Sequence, residues 1–206
     1  MESLIKSDQA WMSDNIKMGT NMKGGLMGGL GRMFSGESLF LNTFTSNRGP
    51  GTIAFPSSFP GKILALELKA GESVIAQKDA FLASEESVTL EVYFKKKLAA
   101  GLFGGEGFIL QKITGPGIVF LEMDGHIEEY YLESGELVKV DTGHVAMFEQ
   151  FVSFDVETIN GMKNVLFGGE GLFLTTLTGP GKIYLQTMPI QNLAGQVSRL
   201  IPINVD

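Results

Sequence analysis

The chain has 206 residues, a formal charge of -7 and no cysteine, with an isoelectric point of about 4.9. An acidic field of this size disfavours nucleic acid and anionic membrane as partners of the surface as a whole, and the lack of thiols excludes disulfides, thiolate metal centres and cysteine nucleophiles. Hydrophobic residues at 44% and charged residues at 19% are those of an ordinary globular protein with an ample core.

The N-terminus, MESLIKSDQAW, has no basic stretch followed by an apolar run, so it does not read as a secretory signal. Nowhere do about 18 apolar residues run together without charge, so a membrane span is not indicated. The simplest location is the cytoplasm. Met12–Met33 is long enough for a short helix, but Gly24, Gly25, Gly28, Gly29 and Gly31 favour a loop. Leu26, Met27, Leu30, Met33 and Phe34 in that stretch are expected beneath the first part of the fold or at a subunit contact. The other reading is an adaptable exposed patch for a protein partner or lipid.

Further along, Val88, Leu90, Val92 and Phe94 alternate with Ser87, Thr89, Glu91 and Tyr93, the period of a half-buried strand. The Lys95-Lys96-Lys97 run that follows reads as a solvated strand edge. Phe108–Thr114 is an apolar-rich strand that stops at Gly-Pro-Gly and resumes at Ile118–Leu121. Pro50-Gly51, Pro116-Gly117 and Pro180-Gly181 are predicted to be equivalent type II turns joining antiparallel strands. Asp124-Gly125 reads as a hairpin turn, with Glu122, Glu128 and Glu129 on its wet face. Val152, Phe154 and Val156 alternate with Ser153, Asp155 and Glu157 as a further strand.

These elements repeat. LFGGEGFILQKITGPGIVFL at 102–121 returns as LFGGEGLFLTTLTGPGKIYL at 166–185, and the same offset of 64 lays 71–92 over 135–156. A further copy lies upstream: 2–13 falls on 72–83, and GESLFLNTFTSNRGPGTIAF at 36–55 matches 105–121 with three extra residues around Ser46–Arg48. The expected architecture is all-β, with tandem repeated β-sandwich units like those of a double-stranded β-helix. Residues 1–206 form one domain of three repeats (about 1–69, 70–133 and 134–206) in an approximate threefold arrangement. A β-trefoil is disfavoured because its units are shorter.

The ordered set GGLMGGLGRMFSGESLFLNTFT (24–45), GPGTIAFP (49–56), LFGGEGFILQKITGPG (102–117) and LFGGEGLFLTTLTGPG (166–181) resembles a family of bacterial proteins. The eukaryotic relatives of that family are named for altered inheritance of mitochondria and mitochondrial biogenesis. The resemblance implies a fold similar to the trp RNA-binding attenuation protein, with that β-sandwich unit duplicated in one chain, and a homotrimer. It assigns no biochemical activity. Mitochondrial members are implicated in inner-membrane organisation, but this chain has no Arg-rich leader to carry that location over.

Chemistry-bearing patterns are few. The glycine motifs lack the lysine-serine or lysine-threonine pair of a phosphate loop and read as bulges or close backbone crossings. Glu37, Glu106 and Glu170 occupy the same site in each copy. They are expected to accept backbone N–H groups at their own glycine turns; the alternative has them converge and hold calcium or magnesium. His126 and His144 are the two histidines, and neither sits in a nucleophile or metal-ligand pattern. No catalytic residue, cofactor or metal is therefore assigned. The expectation is a non-catalytic oligomeric scaffold or interaction module, with a ligand- or RNA-binding regulator using clefts between repeats as the alternative and an enzyme third. RNA is disfavoured because basic and stacking side chains do not recur from copy to copy.

Overall fold

The computed structural model describes residues 2–5, 11–21, 41–96, 107–158 and 173–201. Eleven strands come first: β1 Glu2–Ile5, β2 Trp11–Met12, β3 Ile16–Asn21, β4 Leu41–Ser46, β5 Ile53–Ala54, β6 Gly61–Leu68, β7 Ser73–Gln77, β8 Phe81–Glu85, β9 Thr89–Lys96, β10 Phe108–Thr114 and β11 Gly117–Asp124. They are followed by β12 Ile127–Leu132, β13 Leu137–Asp141, β14 Val145–Glu149, β15 Ser153–Thr158, β16 Phe173–Thr178 and β17 Gly181–Gln186, and helix α1 spans Ile190–Ser198. The architecture is thus all-β apart from α1 and two 3-10 turns, Lys78–Ala80 and Thr142–His144. The chain divides into two compact units. One comprises Met1–Ser58, Ile63–Phe94 and Ile109–Glu122; the other comprises Phe59–Lys62, Lys95–Phe108 and Met123–Asp206.

Within the first unit the strand order is β3-β4-β1-β8-β11-β6, with only the tips of β11 and β6 assigned to the second unit. β1 pairs antiparallel with both β4 and β8, β3 with β4, and β11 with β8. β10 pairs antiparallel with β7 and neighbours β9, while β2 pairs with β5. Sequence explains the burial. Phe81, Leu82, Ala83 and Ser84 of β8 are all buried, as expected of an unbroken apolar run covered on both faces, whereas β9 alternates residue by residue. Phe44, Leu82 and Ala83 form a core cluster with Ile16, Ile53 and Phe55 packed against it. Phe44 meets Phe55 edge-on at 5.8 Å between ring centroids.

In the second unit β12, β17 and β14 lie side by side, and β13, β16 and β15 form a separate three-stranded sheet. Val145, Ala146, Met147 and Phe148 of β14 are buried together with Leu177 and Ile183. Phe154 stacks on Phe148 at 5.7 Å and on Phe108 at 6.1 Å. The basic run is not wholly solvated, because Lys96 Nζ donates to the Val156 carbonyl at 3.1 Å.

Four expectations change. The Pro-Gly steps are corners, not hairpin turns: β10 pairs with β7 while β11 pairs with β8, and β16 pairs with β13 while β17 pairs with β14. The Gly115-Pro116 and Gly179-Pro180 bonds are cis, and Gly117 and Gly181 take φ of 135° and 140°, outside type II geometry. Asp124-Gly125 is no hairpin either, since β12 pairs with β17. Met12 ends β2 and Ile16–Asn21 forms β3 where a loop is expected, and the Leu26–Phe34 stretch lies outside the described residues. Finally, α1 is a helix the reading above lacks, although Ile190, Leu193 and Val197 carry its spacing.

Gly179 shows how tight a corner is. A Cβ there would drive into the carbonyl oxygens of Leu132 and Glu133, both backbone atoms that cannot rotate away. Gly195 in α1 has open space around it. Gly179→Ala is therefore expected to lower stability by at least about 2 kcal/mol in urea unfolding, while Gly195→Ala raises it by about 0.5–1 kcal/mol.

Candidate functional site

A strand leaving one sheet for another carries backbone N–H groups past the corner with no neighbouring strand to accept them. Acidic side chains from a distant turn fill that gap. Glu85 Oε2 accepts from the Ile118 N–H at 3.0 Å, directly after Gly117. Glu149 Oε2 accepts from the Lys182 N–H at 3.0 Å, directly after Gly181. Each glutamate opens a turn closed by its own carbonyl, from Val88 N–H in one case and Val152 N–H in the other. Around Pro50 the clamp is an amide: Asn15 Nδ2 is placed to donate to the carbonyls of Arg48 at 2.8 Å and Pro50 at 3.0 Å. A side-chain oxygen of Asn15 or Glu85 occupies the space that a Cβ on Gly51 or Gly117 would need, so the small residue and the clamp require one another.

A second pair of anchors sits at the far ends of the same strands. Glu122 is only 7% exposed and accepts from Ser58 N–H at 2.7 Å, Ser58 Oγ at 2.8 Å and Ser57 Oγ at 3.3 Å. It is therefore not on a wet face, contrary to the sequence expectation. Gln186, 64 residues on, is buried too; its Oε1 accepts from Asp124 N–H and its Nε2 donates to the Gly143 carbonyl. A neutral amide serves one loop as a carboxylate serves the other, which marks these groups as anchors. Both were missed in sequence because their partners come from loops 43 to 65 residues away.

The residues singled out beforehand fall differently. Glu37, Glu106 and Glu170 lie outside the described residues. His144 Nδ1 donates to the Gln186 carbonyl at 2.7 Å, which leaves Nε2 as the acceptor facing Asn192 of α1 at 3.4 Å. His126 is exposed, its Nε2 3.8 Å from Glu128, and its backbone N–H donates to Thr187 Oγ1. Asp124 Oδ2 accepts from the Ile190 N–H and so caps α1. These groups seat the helix. Among the described residues no group of three or more histidine or acidic side chains is close enough to hold a metal ion, and no helix is long and apolar enough to cross a membrane.

One electrostatic cluster stands on the surface of β12 and β17. Lys182 Nζ donates to Glu129 Oε1 at 2.7 Å, and Glu129 is the cross-strand partner of Tyr184. The Lys182 hydrogen bond draws the Glu129 carboxyl below its usual range, and Glu129 in turn raises Lys182. Tyr184 is pushed above the ordinary phenol range, first by burial and then by the Glu129 charge.

Two measurements test these assignments. Glu149→Gln keeps an acceptor oxygen and is expected to change stability by less than about 1 kcal/mol, whereas Glu149→Ala strands the Lys182 N–H and costs about 1–3 kcal/mol in denaturant unfolding. Glu129→Gln removes a negative charge that opposes the phenolate, so Tyr184 should ionise at lower pH by ultraviolet titration. It should still titrate above an ordinary tyrosine, because burial persists.

The family model described as mitochondrial biogenesis AIM24 matches residues 8–188. An uncharacterized protein of Streptococcus pyogenes serotype M6 is 31% identical over 208 residues, covering 97% of this chain and 82% of that protein. A crystal structure of a Streptococcus pyogenes protein superposes with a TM-score of 0.75 at 28% identity, covering 97% of this chain and 89% of that one. The chain belongs to the mitochondrial biogenesis AIM24 family and stands among its bacterial members.

Proposed function

We propose that this protein is a non-catalytic scaffold that works as a homotrimer in the cytoplasm, each chain built from three tandem copies of one β-sandwich unit. The repeat reading draws support from the pairings. β4 pairs with β1 and β5 with β2; β10 pairs with β7 and β11 with β8; β16 pairs with β13 and β17 with β14. The clamp residues Asn15, Glu85 and Glu149 fall at one place in the three copies. The likeness to the trp RNA-binding attenuation protein enters this reading as architecture alone, since fold does not carry function. The side chains in view favour structure over reaction: the carboxylates and imidazoles described above are occupied with backbone groups, caps and ion pairs.

The observation that carries the assembly reading is a pair of edge strands. β6 ends the first unit's sheet beside β11, and β12 ends its sheet beside β17, 64 residues later in the same relative place. In β12, Glu128, Glu129, Tyr130 and Tyr131 are all exposed in a row. In β6 Ile63, Ala65 and Glu67 are exposed in alternation, Ile63 at 43%. An open edge bearing apolar side chains is a template for pairing with another chain. Two different edges on one chain make a head-to-tail contact, which closes into a ring when the rotation between neighbours divides a full turn, as three copies require, and otherwise runs on as a filament.

Light scattering at micromolar concentration tests this. The expected mass is three times the 22.3 kDa chain, and Ile63→Glu is expected to reduce it to that of one chain with the far-ultraviolet spectrum unchanged. A wild-type monomer defeats the proposal.

A further inference from the structure

The outer face of the β13-β16-β15 sheet carries features that the fold does not require. Leu137 is 59% exposed on β13, and Phe151 is 72% exposed in the turn that leads into β15. Leu137 pairs with Thr178, which pairs in turn with Ser153. Leu137 and Ser153 therefore lie about 10 Å apart across the sheet, and Phe151 precedes Ser153 by two residues, beyond the same end of the sheet. Isolated exposed apolar residues need no explanation; these two have an internal control. Shifting by 64 residues places Ser73 opposite Leu137 and Ser87 opposite Phe151. The same strand and turn are thus built with serines elsewhere in this chain, so the leucine and phenylalanine are not demanded by folding.

Burial tells the same story. In β7 the residues Ser73, Val74, Ile75 and Ala76 are all covered, whereas in β13 Leu137, Lys139 and Asp141 alternate as exposed positions. The face is closed in one copy and open in the other.

Charge identifies the occupant. Beside Leu137, the turn that precedes β13 carries exposed Glu133 and Glu136. Down the face lie Asp155 and Glu157 of β15 and Asp141 of β13, all exposed; the cations among the described residues there include Lys139, 3.5 Å from Glu157, and Lys96, whose Nζ reaches the Val156 carbonyl, so acids still predominate. A potential of that sign repels nucleic acid, anionic lipid and a second copy of this acidic face. We infer that this face is a docking site for a cationic segment of a partner protein, with apolar side chains seated at Leu137 and Phe151 and lysine or arginine along the acidic rows. The inference stands apart from the assembly reading, because it uses neither β6 nor β12.

The experiment is fluorescence anisotropy on the full chain at low salt, with a labelled peptide of alternating lysine and leucine and its glutamate-leucine counterpart as probes. The lysine peptide is expected to bind and to weaken as salt rises. Phe151→Ser combined with Leu137→Ser, the residues of the other copy, should weaken it about tenfold without change in unfolding midpoint or light-scattering mass. Lys139→Glu should tighten it with the far-ultraviolet spectrum and unfolding midpoint unchanged. Equal binding of the glutamate peptide, or unaltered affinity in the double-serine variant, overturns the proposal. So does a change in assembled mass in that variant, which would make the face a contact between copies.

Discussion

A backbone that turns from one sheet into another must satisfy the N–H groups it strips from the ladder, and here that burden falls on single side chains. Glu85 and Glu149 each accept the first N–H beyond a Pro-Gly corner, and Asn15 grips the carbonyls of the third such corner. Much else follows from these bonds. Because the corners at Gly117 and Gly181 are pinned to the turns after the buried strands β8 and β14, β10 and β11 are free to pair with different partners, as are β16 and β17. The continuous burial of β8 and β14 follows in turn, since each receives a strand delivered by a clamped corner. A neutral amide in one clamp and carboxylates in two others show that the geometry of an acceptor or donor matters here more than its charge.

How much of this was legible in the residues differs by the range of the interaction. Strands with one wet face announced themselves: the alternation from Val88 to Phe94 became β9, and that of Ser153 to Glu157 became β15. The corners did not. Gly-Pro-Gly encodes a local change of direction, but which strand receives the chain afterwards is settled by pairing partners 33 to 41 residues away. Glu122 looked like a solvent-facing acid because Asp124-Gly125 imitates a hairpin; its serine partners sit 64 and 65 residues upstream. Helix α1 was readable from Ile190, Leu193 and Val197, and Gly195 and the short length concealed it. The three repeated glutamates of the glycine motifs lie beyond the described residues, while the glutamates that hold the corners sit elsewhere in the repeat and drew no notice.

The copies are similar in wiring and different in surface, and that difference is informative. Positions that wire the fold keep a hydrogen-bonding group: glutamate in two clamps and asparagine in the third, glutamine for glutamate in the anchors. Positions that only face outward diverge, as Ser87 and Phe151 do at one turn. An internal repeat thus separates what a scaffold needs from what a surface has been given, using a single chain.

The division into units has a consequence of its own. Neither unit is one stretch of chain: Phe59–Lys62 and Lys95–Phe108 belong with Met123–Asp206, while Ile63–Phe94 and Ile109–Glu122 belong with Met1–Ser58. The boundaries of the sequence copies and of the units do not coincide: a cut near residue 70 divides both units, while one near residue 134 divides only the second. A break near residue 70 therefore leaves neither unit whole, so the first copy cannot be exchanged among other proteins as a free-standing domain is.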